Sequence, residues 1–471
     1  MDAIADWAEK RFRRRSRGLS LSKGLYEHTS LLNIDEPFEE ETLPGYKPNN
    51  YYPVQVGQPL NARYKVLGKL DYNPFSTTWF CLDKKIKRYV EVKVCIALPA
   101  NGSKKCRSNS EWNAYTHLSG MVTENEGFSF LRQILDRFTV VSAIGAEHQC
   151  FVYSPVGIDL AQFQRLAPNA DLNLLKDILR AVLQALDFLH QDARIMHTNV
   201  NPETILFTIT HKPTLALFAK RLQAHPPLGK PSTPSNRIIY QTTRLTHLLD
   251  IHEISLSKPV LADLGSARIM HKDDTQLLPR DIQPDPSLSP EMCLGMCWSF
   301  TTDIWALASI SWLLFARTRL FDPINTSADV SGNWDMKAYI TQVAALIGPP
   351  PAHISRICPV EFSRPDTRLN ERKLNETGFN ETRLNATGLN ETGLNETRLN
   401  GTGLNKTRLN ETGLTETGLV VNSKSILRNN PNDQTEFLAF MHAMLKWDPD
   451  ERCSASELLD HAFLDQRTRW G

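Results

Sequence analysis

Three charged residues stand where they could act on a charged ligand. Lys93 ends the run Val90-Glu91-Val92-Lys93, Glu111 lies in a helical stretch, and Asp263 opens Asp263-Leu264-Gly265. An ammonium group neutralises an anion, and a carboxylate binds a hard divalent cation. The bland alternatives are a solvated strand lysine at 93 and a turn anchored through backbone N–H groups at 263. Between them runs Ile195-Met196-His197-Thr198-Asn199-Val200-Asn201-Pro202-Glu203-Thr204-Ile205-Leu206. Asn199 and Asn201 are neutral amides, with no useful basicity at pH 7. The eight cysteines are scattered, and the closest pair, Cys293 and Cys297, has no His or Cys cluster beside it. They read as reduced thiols rather than a metal site.

The elements that must position these residues change character along the chain. Residues 64–70, 77–83 and 88–96 are short β-branched and aromatic runs separated by turns, and 138–141 and 150–153 repeat that texture. They predict a small antiparallel sheet, with a helix over 108–118. The second half is helical. In 172–190, Leu172, Leu175, Leu179, Val182, Leu183, Leu186 and Leu189 recur at steps of three and four, the mark of a buried helix face. Residues 303–315 and 436–447 are similar, and 452–463 carries Ser454 as an N-cap with Glu457 as its capping-box partner. A β lobe followed by a helical lobe is α+β organisation.

The order of the motifs resembles that of a protein kinase. The series begins at Gly68-Lys69-Leu70-Asp71-Tyr72-Asn73-Pro74-Phe75-Ser76-Thr77-Thr78-Trp79 and passes through Lys93, Glu111, the 195–206 segment and Asp263. Ser289-Pro290-Glu291, Asp303-Ile304-Trp305 and Arg452 complete it. Pro44-Gly45-Tyr46, Tyr51-Tyr52-Pro53-Val54, Phe75-Ser76-Thr77, His197-Thr198 and Asp281-Ile282-Gln283 are similar to the SR-protein kinases, especially the fungal ones. That resemblance implies a bilobal protein-kinase fold and ATP- and Mg2+-dependent phosphorylation of serines in Arg-Ser-rich splicing factors, in cytoplasm and nucleus. It places Leu70, Thr78, Glu91, Lys93, Glu111 and Val156 at nucleotide-binding positions. Asp263 falls at the first metal position, Thr204 at the second, Asn199 at the catalytic base and Asn201 at the phosphate-stabilising lysine.

The departures from the family pattern bear on catalysis. Asn199 stands where a carboxylate would accept the substrate proton, Asn201 where a lysine would stabilise the transferring group, and Thr204 where an asparagine would hold a second cation. Asp71 and Asn73 replace glycines of the phosphate loop, and Glu91 replaces a small alanine, either filling the base pocket or bringing a charge against the base. Pro284-Asp285-Pro286-Ser287-Leu288 replaces an Arg-rich stretch expected to help recognise substrate. The positions that carry architecture, including His197, Gly265, Glu291, Asp303, Trp305 and Arg452, are kept. The expectation is a pseudokinase acting as a scaffold or regulator, with an Arg-Ser-rich protein or an active kinase as partner. The alternatives are an active atypical serine/threonine kinase and a decaying gene copy.

The chain has 471 residues, with 53 Lys plus Arg against 52 Asp plus Glu, a net charge of +1. Global charge therefore offers no polyanion-binding surface, and no nucleic-acid partner is expected. No run of about 18 apolar residues predicts a membrane span. The expected organisation is a flexible tail over 1–45, an N-lobe over 46–155 and a C-lobe over 156–466. A loop-rich insert spans 208–258. A repeat of five-residue units fills 367–419, mostly as T-[RG]-L-N-E. A step of five matches neither helix nor strand, so the repeat reads as a flexible polar insert, with a pentapeptide-type β-solenoid as the alternative.

Overall fold

The computed structural model of the chain describes residues 36–98, 107–209, 211–232, 237–248, 254, 257–270, 288–321, 336–358, 419, 426–427 and 430–464. The repeat through residue 418 and the 281–287 stretch expected to meet substrate lie outside the described residues. The chain divides into two units. The first comprises Met1–Asn109, Gln133–Ile158 and Phe207–Ser257; the second comprises Ser110–Arg132, Asp159–Leu206 and Lys258–Gly471.

The first unit is built on six strands: β1 (Pro59–Leu60), β2 (Tyr64–Asn73), β3 (Ser76–Asp83), β4 (Arg88–Cys95), β5 (Ile134–Val141) and β6 (Glu147–Tyr153). They pair antiparallel in the order β1-β2-β3-β4-β6-β5. The five expected strands are present, and β1 adds a short edge. Side chains alternate between two faces along each strand. Trp79, Cys81, Val90, Val92 and Val94 enter one apolar cluster with Val54 and Tyr64. The opposite face presents Leu67, Leu70 and Phe80 to a helix.

That helix, Lys212–Ala224, corrects the expectation of a loop-rich 208–258 insert. Leu215, Phe218 and Leu222 of the helix pack on Leu67, Leu70 and Phe80. Gly68 makes this approach possible: a Cβ there would lie 3.0 Å from Leu222 Cδ2. The prolines that suggest a loop occupy tolerant places. Pro213 is in the first helical turn, where its missing N–H has no partner to lose. Pro231 lies in the hairpin formed by Gly229–Ser232 and Arg237–Tyr240, which is only two strands wide.

The expected tail over 1–45 is also corrected where it is described. Glu39–Thr42 forms a single 3-10 turn. Glu40 and Lys69 are both 0% exposed and form an ion pair; Arg237 pairs with the same carboxylate, Glu39 lies 3.5 Å from Lys69 Nζ, and Glu41 lies 2.7 Å from Lys230. Consecutive glutamates look solvated in the sequence because their cations come from strands 29 or more residues away. Glu40→Gln keeps the shape and removes the charge. It is expected to cost about 1.5–3 kcal/mol, the range for a hydrogen bond to a charged group, read from the urea unfolding midpoint.

The second unit is helical. Leu172–Asp187 starts at Asp171, whose side chain accepts from the N–H groups of Asn173 and Leu174, and it buries Leu175, Ile178, Leu179, Val182, Leu183 and Leu186. It continues into a π turn over Phe188–Asp192 that delivers His190. Thr301–Ala316 is buried on nearly every side, as expected of a helix at the centre of a core. Pro431–Met444 and the short Ala455–Leu459 follow, the latter with the expected Ser454–Glu457 capping box. The expected α+β organisation is present. The predicted lobe boundary shifts, because 110–132 belongs to the helical unit. Two anchors within that unit hold it there: His117 Nε2 lies 2.8 Å from Ala193 O, and Arg132 N–H donates to Leu261 O at 2.8 Å.

Candidate functional site

Within the helical unit, one carboxylate organises the polar loop. Asp303, 1% exposed, sits in the first turn of Thr301–Ala316. Its Oδ2 accepts from His197 N–H at 2.8 Å and lies 2.9 Å from His190 Nε2, and its Oδ1 accepts from Thr198 N–H at 2.7 Å. Burial pushes this carboxyl up, but the His190 hydrogen bond and charge, with help from His197, outweigh burial and hold it below its ordinary value. Thr198 takes a left-handed backbone (φ 61°), strain that the paired N–H bonds support. A depressed folded value stabilises the fold fully above the unfolded value, and that stabilisation fades as pH falls through the folded one. The stability advantage of the wild type over Asp303→Asn is therefore expected to be full above about pH 5 and to shrink as pH falls through the depressed folded value, measured by urea unfolding at each pH.

Asn199, Asn201 and Thr204 come together as the sequence reading placed them, and they bind one another. Asn201 Nδ2 donates to Asn199 Oδ1 and to Asn199 O, both at 3.2 Å. Asn201 Oδ1 accepts from the N–H groups of Glu203 at 2.9 Å and Thr204 at 3.1 Å. Thr204 Oγ1 donates to Asn201 O at 2.9 Å and accepts from Asn201 N–H at 3.1 Å. Asp263 follows the strand Pro259–Leu261 with a left-handed backbone (φ 68°), and its Oδ2 lies 3.5 Å from Asn199 Nδ2. The amide of Asn199 thus faces the one carboxylate of the group as a donor. It offers that carboxylate a proton-bearing nitrogen, where a base would offer an acceptor.

The β unit holds the other predicted positions except Glu111. Lys93 is half-buried on β4, and Glu111, in the helical unit, is 2% exposed on Arg107–Ser119. Glu91 is 4% exposed, and its Oε1 accepts from Val156 N–H at 2.9 Å. Thr78 is the cross-strand partner of Lys93. Leu70 belongs to the apolar cluster under Lys212–Ala224. At the tip of the β2–β3 turn, Asn73 Oδ1 accepts from Phe75 N–H at 2.8 Å and from Ser76 Oγ at 3.2 Å. A glycine at 73 would leave that N–H free for a phosphate; the asparagine side chain takes it up. The turn preference of Asn could have revealed this from sequence. His190 gave no such signal, because only the π turn brings it to Asp303.

These residues do not fit ATP with two Mg2+ ions. Thr204 Oγ is engaged by Asn201, the Val156 N–H by Glu91, and the Phe75 N–H by Asn73. Among the described residues, no group of three or more His, Cys, Asp or Glu could hold a metal ion, and no helix is long and apolar enough to cross a membrane.

No family model matches the chain. It is 28% identical over 436 residues to a serine/threonine protein kinase of Aspergillus fumigatus, with 92% of each chain covered. It is 27% identical over 299 residues to the serine/threonine-protein kinase SRPK of Physarum polycephalum, covering 60% of this chain and 68% of that one. A crystallised kinase domain matches 88% of this chain and 99% of its own, with a TM-score of 0.53 at 17% identity, a likeness of fold. The fold is that of a protein kinase. In sequence the chain is SRPK-like, as its motifs indicated.

Proposed function

We propose that this SRPK-like, kinase-fold protein is a pseudokinase that acts as a binding scaffold or regulator. One observation carries the reading: in the 199–204 loop the base, lysine and second-metal positions are two amides and a hydroxyl that satisfy one another. A base is needed to accept the hydroxyl proton of a protein substrate, and no carboxylate stands at that position. Lys93 and Asp263 retain the charges that the family uses for ATP and Mg2+, and under this reading they are relics or serve weak binding. The partner is a protein, either an Arg-Ser-rich one or an active kinase, met in cytoplasm or nucleus. The second reading, an active atypical serine/threonine kinase, draws on the names of the relatives and on Asp263. The deciding experiment is transfer of radiolabel from ATP to an Arg-Ser peptide. Robust transfer that Lys93→Ala abolishes would replace the first reading with the second.

A further inference from the structure

The β unit carries a carboxylate that is buried in an unusual role. On β4, Val90, Val92 and Val94 belong to the apolar cluster on one face, so Glu91 and Lys93 point to the other. On that second face Glu91 stands beside Phe80 on β3 and Tyr153 on β6, its direct cross-strand partners. The chain leaves β6 at Tyr153, and three residues later its Val156 N–H turns back onto Glu91 Oε1. A backbone donor just past a strand end ordinarily bonds water, another backbone group or a ligand. Here it is closed by a side chain that is itself 4% exposed.

The neighbouring surface is closed as well. Phe218 of Lys212–Ala224 packs edge-on against Phe80, with ring centroids 5.0 Å apart. Leu70 lies in the same cluster. Leu70, Glu91 and Val156 are three of the positions assigned to nucleotide binding by resemblance, and all three are engaged inside the β unit.

We infer that Glu91 is a built-in occupant of the nucleobase position, and that it excludes purines by taking the Val156 N–H that a ring nitrogen would accept from. The ligand class it excludes is a flat heteroaromatic base with an acceptor nitrogen. Glu91 Oε1 stands 2.9 Å from that N–H, at the distance a ring nitrogen accepting from it would take. The inference rests on the kinase-fold reading of Val156 but concerns binding, whereas the pseudokinase reading concerns transfer.

Adenosine is the suitable probe, since it carries the base without phosphate charge. Titrated by calorimetry into the full chain, Glu91→Ala is expected to bind adenosine at least tenfold more tightly than wild type. Glu91→Gln keeps an oxygen acceptor at the same place and is expected to match wild type. The Val156 amide should exchange slowly in wild type, faster in Glu91→Ala, and slowly again once adenosine is added. Wild type binding adenosine as tightly as Glu91→Ala overturns the inference. So does a folded Glu91→Ala that binds none. Should Glu91→Ala fail to fold, the wild-type Val156 amide resonance decides: a shift on adding adenosine refutes the occupant, and no shift upholds it. Transfer is scored separately. A Glu91→Ala chain that binds adenosine and still transfers no phosphate supports both readings; wild-type binding without transfer sinks this inference alone.

Discussion

Incubated with radiolabelled ATP, Mg2+ and an Arg-Ser peptide, the protein is expected to transfer no phosphate above background, and Asn199→Asp alone is expected not to restore transfer. A positioned general base contributes about two to four powers of ten in rate. Asn199 cannot supply that, because its amide nitrogen donates and its Oδ1 already accepts from Asn201 Nδ2. Asn199→Asp would restore a carboxylate but place it 3.5 Å or so from Asp263, where two like charges oppose each other without a bridging cation. Thr204 would still be turned toward Asn201, and Asn73 would still hold the Phe75 N–H. These groups serve one step, phosphoryl transfer, in which positioning and charge stabilisation dominate, so restoring one of them recovers little. A combined Asn199→Asp, Asn201→Lys, Thr204→Asn and Glu91→Ala chain is the informative contrast. Transfer by the quadruple variant but not by Asn199→Asp would identify the loop and the base position as the lesions. Strong transfer by wild type would remove the pseudokinase reading altogether.

Arg452→Ala is expected to destabilise the helical unit by about 3–5 kcal/mol, the usual cost of breaking a buried ion pair from one side. Arg452 Nη2 and Nη1 meet Glu291 Oε2 and Oε1 at 2.6 and 2.7 Å, a two-pronged contact in which both side chains are 0% exposed. Arg452 also donates to Lys446 O at 3.0 Å and to Thr301 O at 3.2 Å, and it lies 4.9 Å over the Trp305 ring. Glu291 accepts further from Thr302 Oγ1 at 3.2 Å. Removing the guanidinium leaves a buried carboxylate with that hydroxyl as its remaining partner among these contacts, and desolvation makes such a charge costly. Since a domain is stable by only about 5–15 kcal/mol, the loss is a large fraction of the whole. Urea unfolding followed by tryptophan fluorescence measures it, Trp305 being beside the pair. The double variant Glu291→Met with Arg452→Met should be less damaged than Arg452→Ala, because no lone charge remains. A cost under about 1 kcal/mol for Arg452→Ala would mean that water reaches the pair.

The sequence by itself determined the motif order, and the element types where the pattern is local. Leu172–Asp187 was legible because its leucines repeat at helical steps, and β2 to β6 because short β-branched runs alternate with turns; both are local patterns. The Ser454–Glu457 capping box was legible for the same reason, since cap and partner lie three residues apart. Charge chemistry at Asn199, Asn201 and Thr204 was also readable, because an amide lacks basicity wherever it stands. The tertiary structure alone decided who meets whom across long separations. Glu39, Glu40 and Glu41 read as a solvated tail until Lys69, Arg237 and Lys230 arrive from distant strands. The 208–258 segment read as loop because Pro and Ser punctuate it; its helix is held by packing on Leu67, Leu70 and Phe80, a contact no local pattern encodes. Glu91 was recognisable as out of place, yet either pocket filling or a stray charge remained open. The bond from Val156 N–H, 65 residues on in the chain, gives Glu91 a partner that no local pattern announces, because only folding brings a donor and an acceptor so far apart in sequence to 2.9 Å.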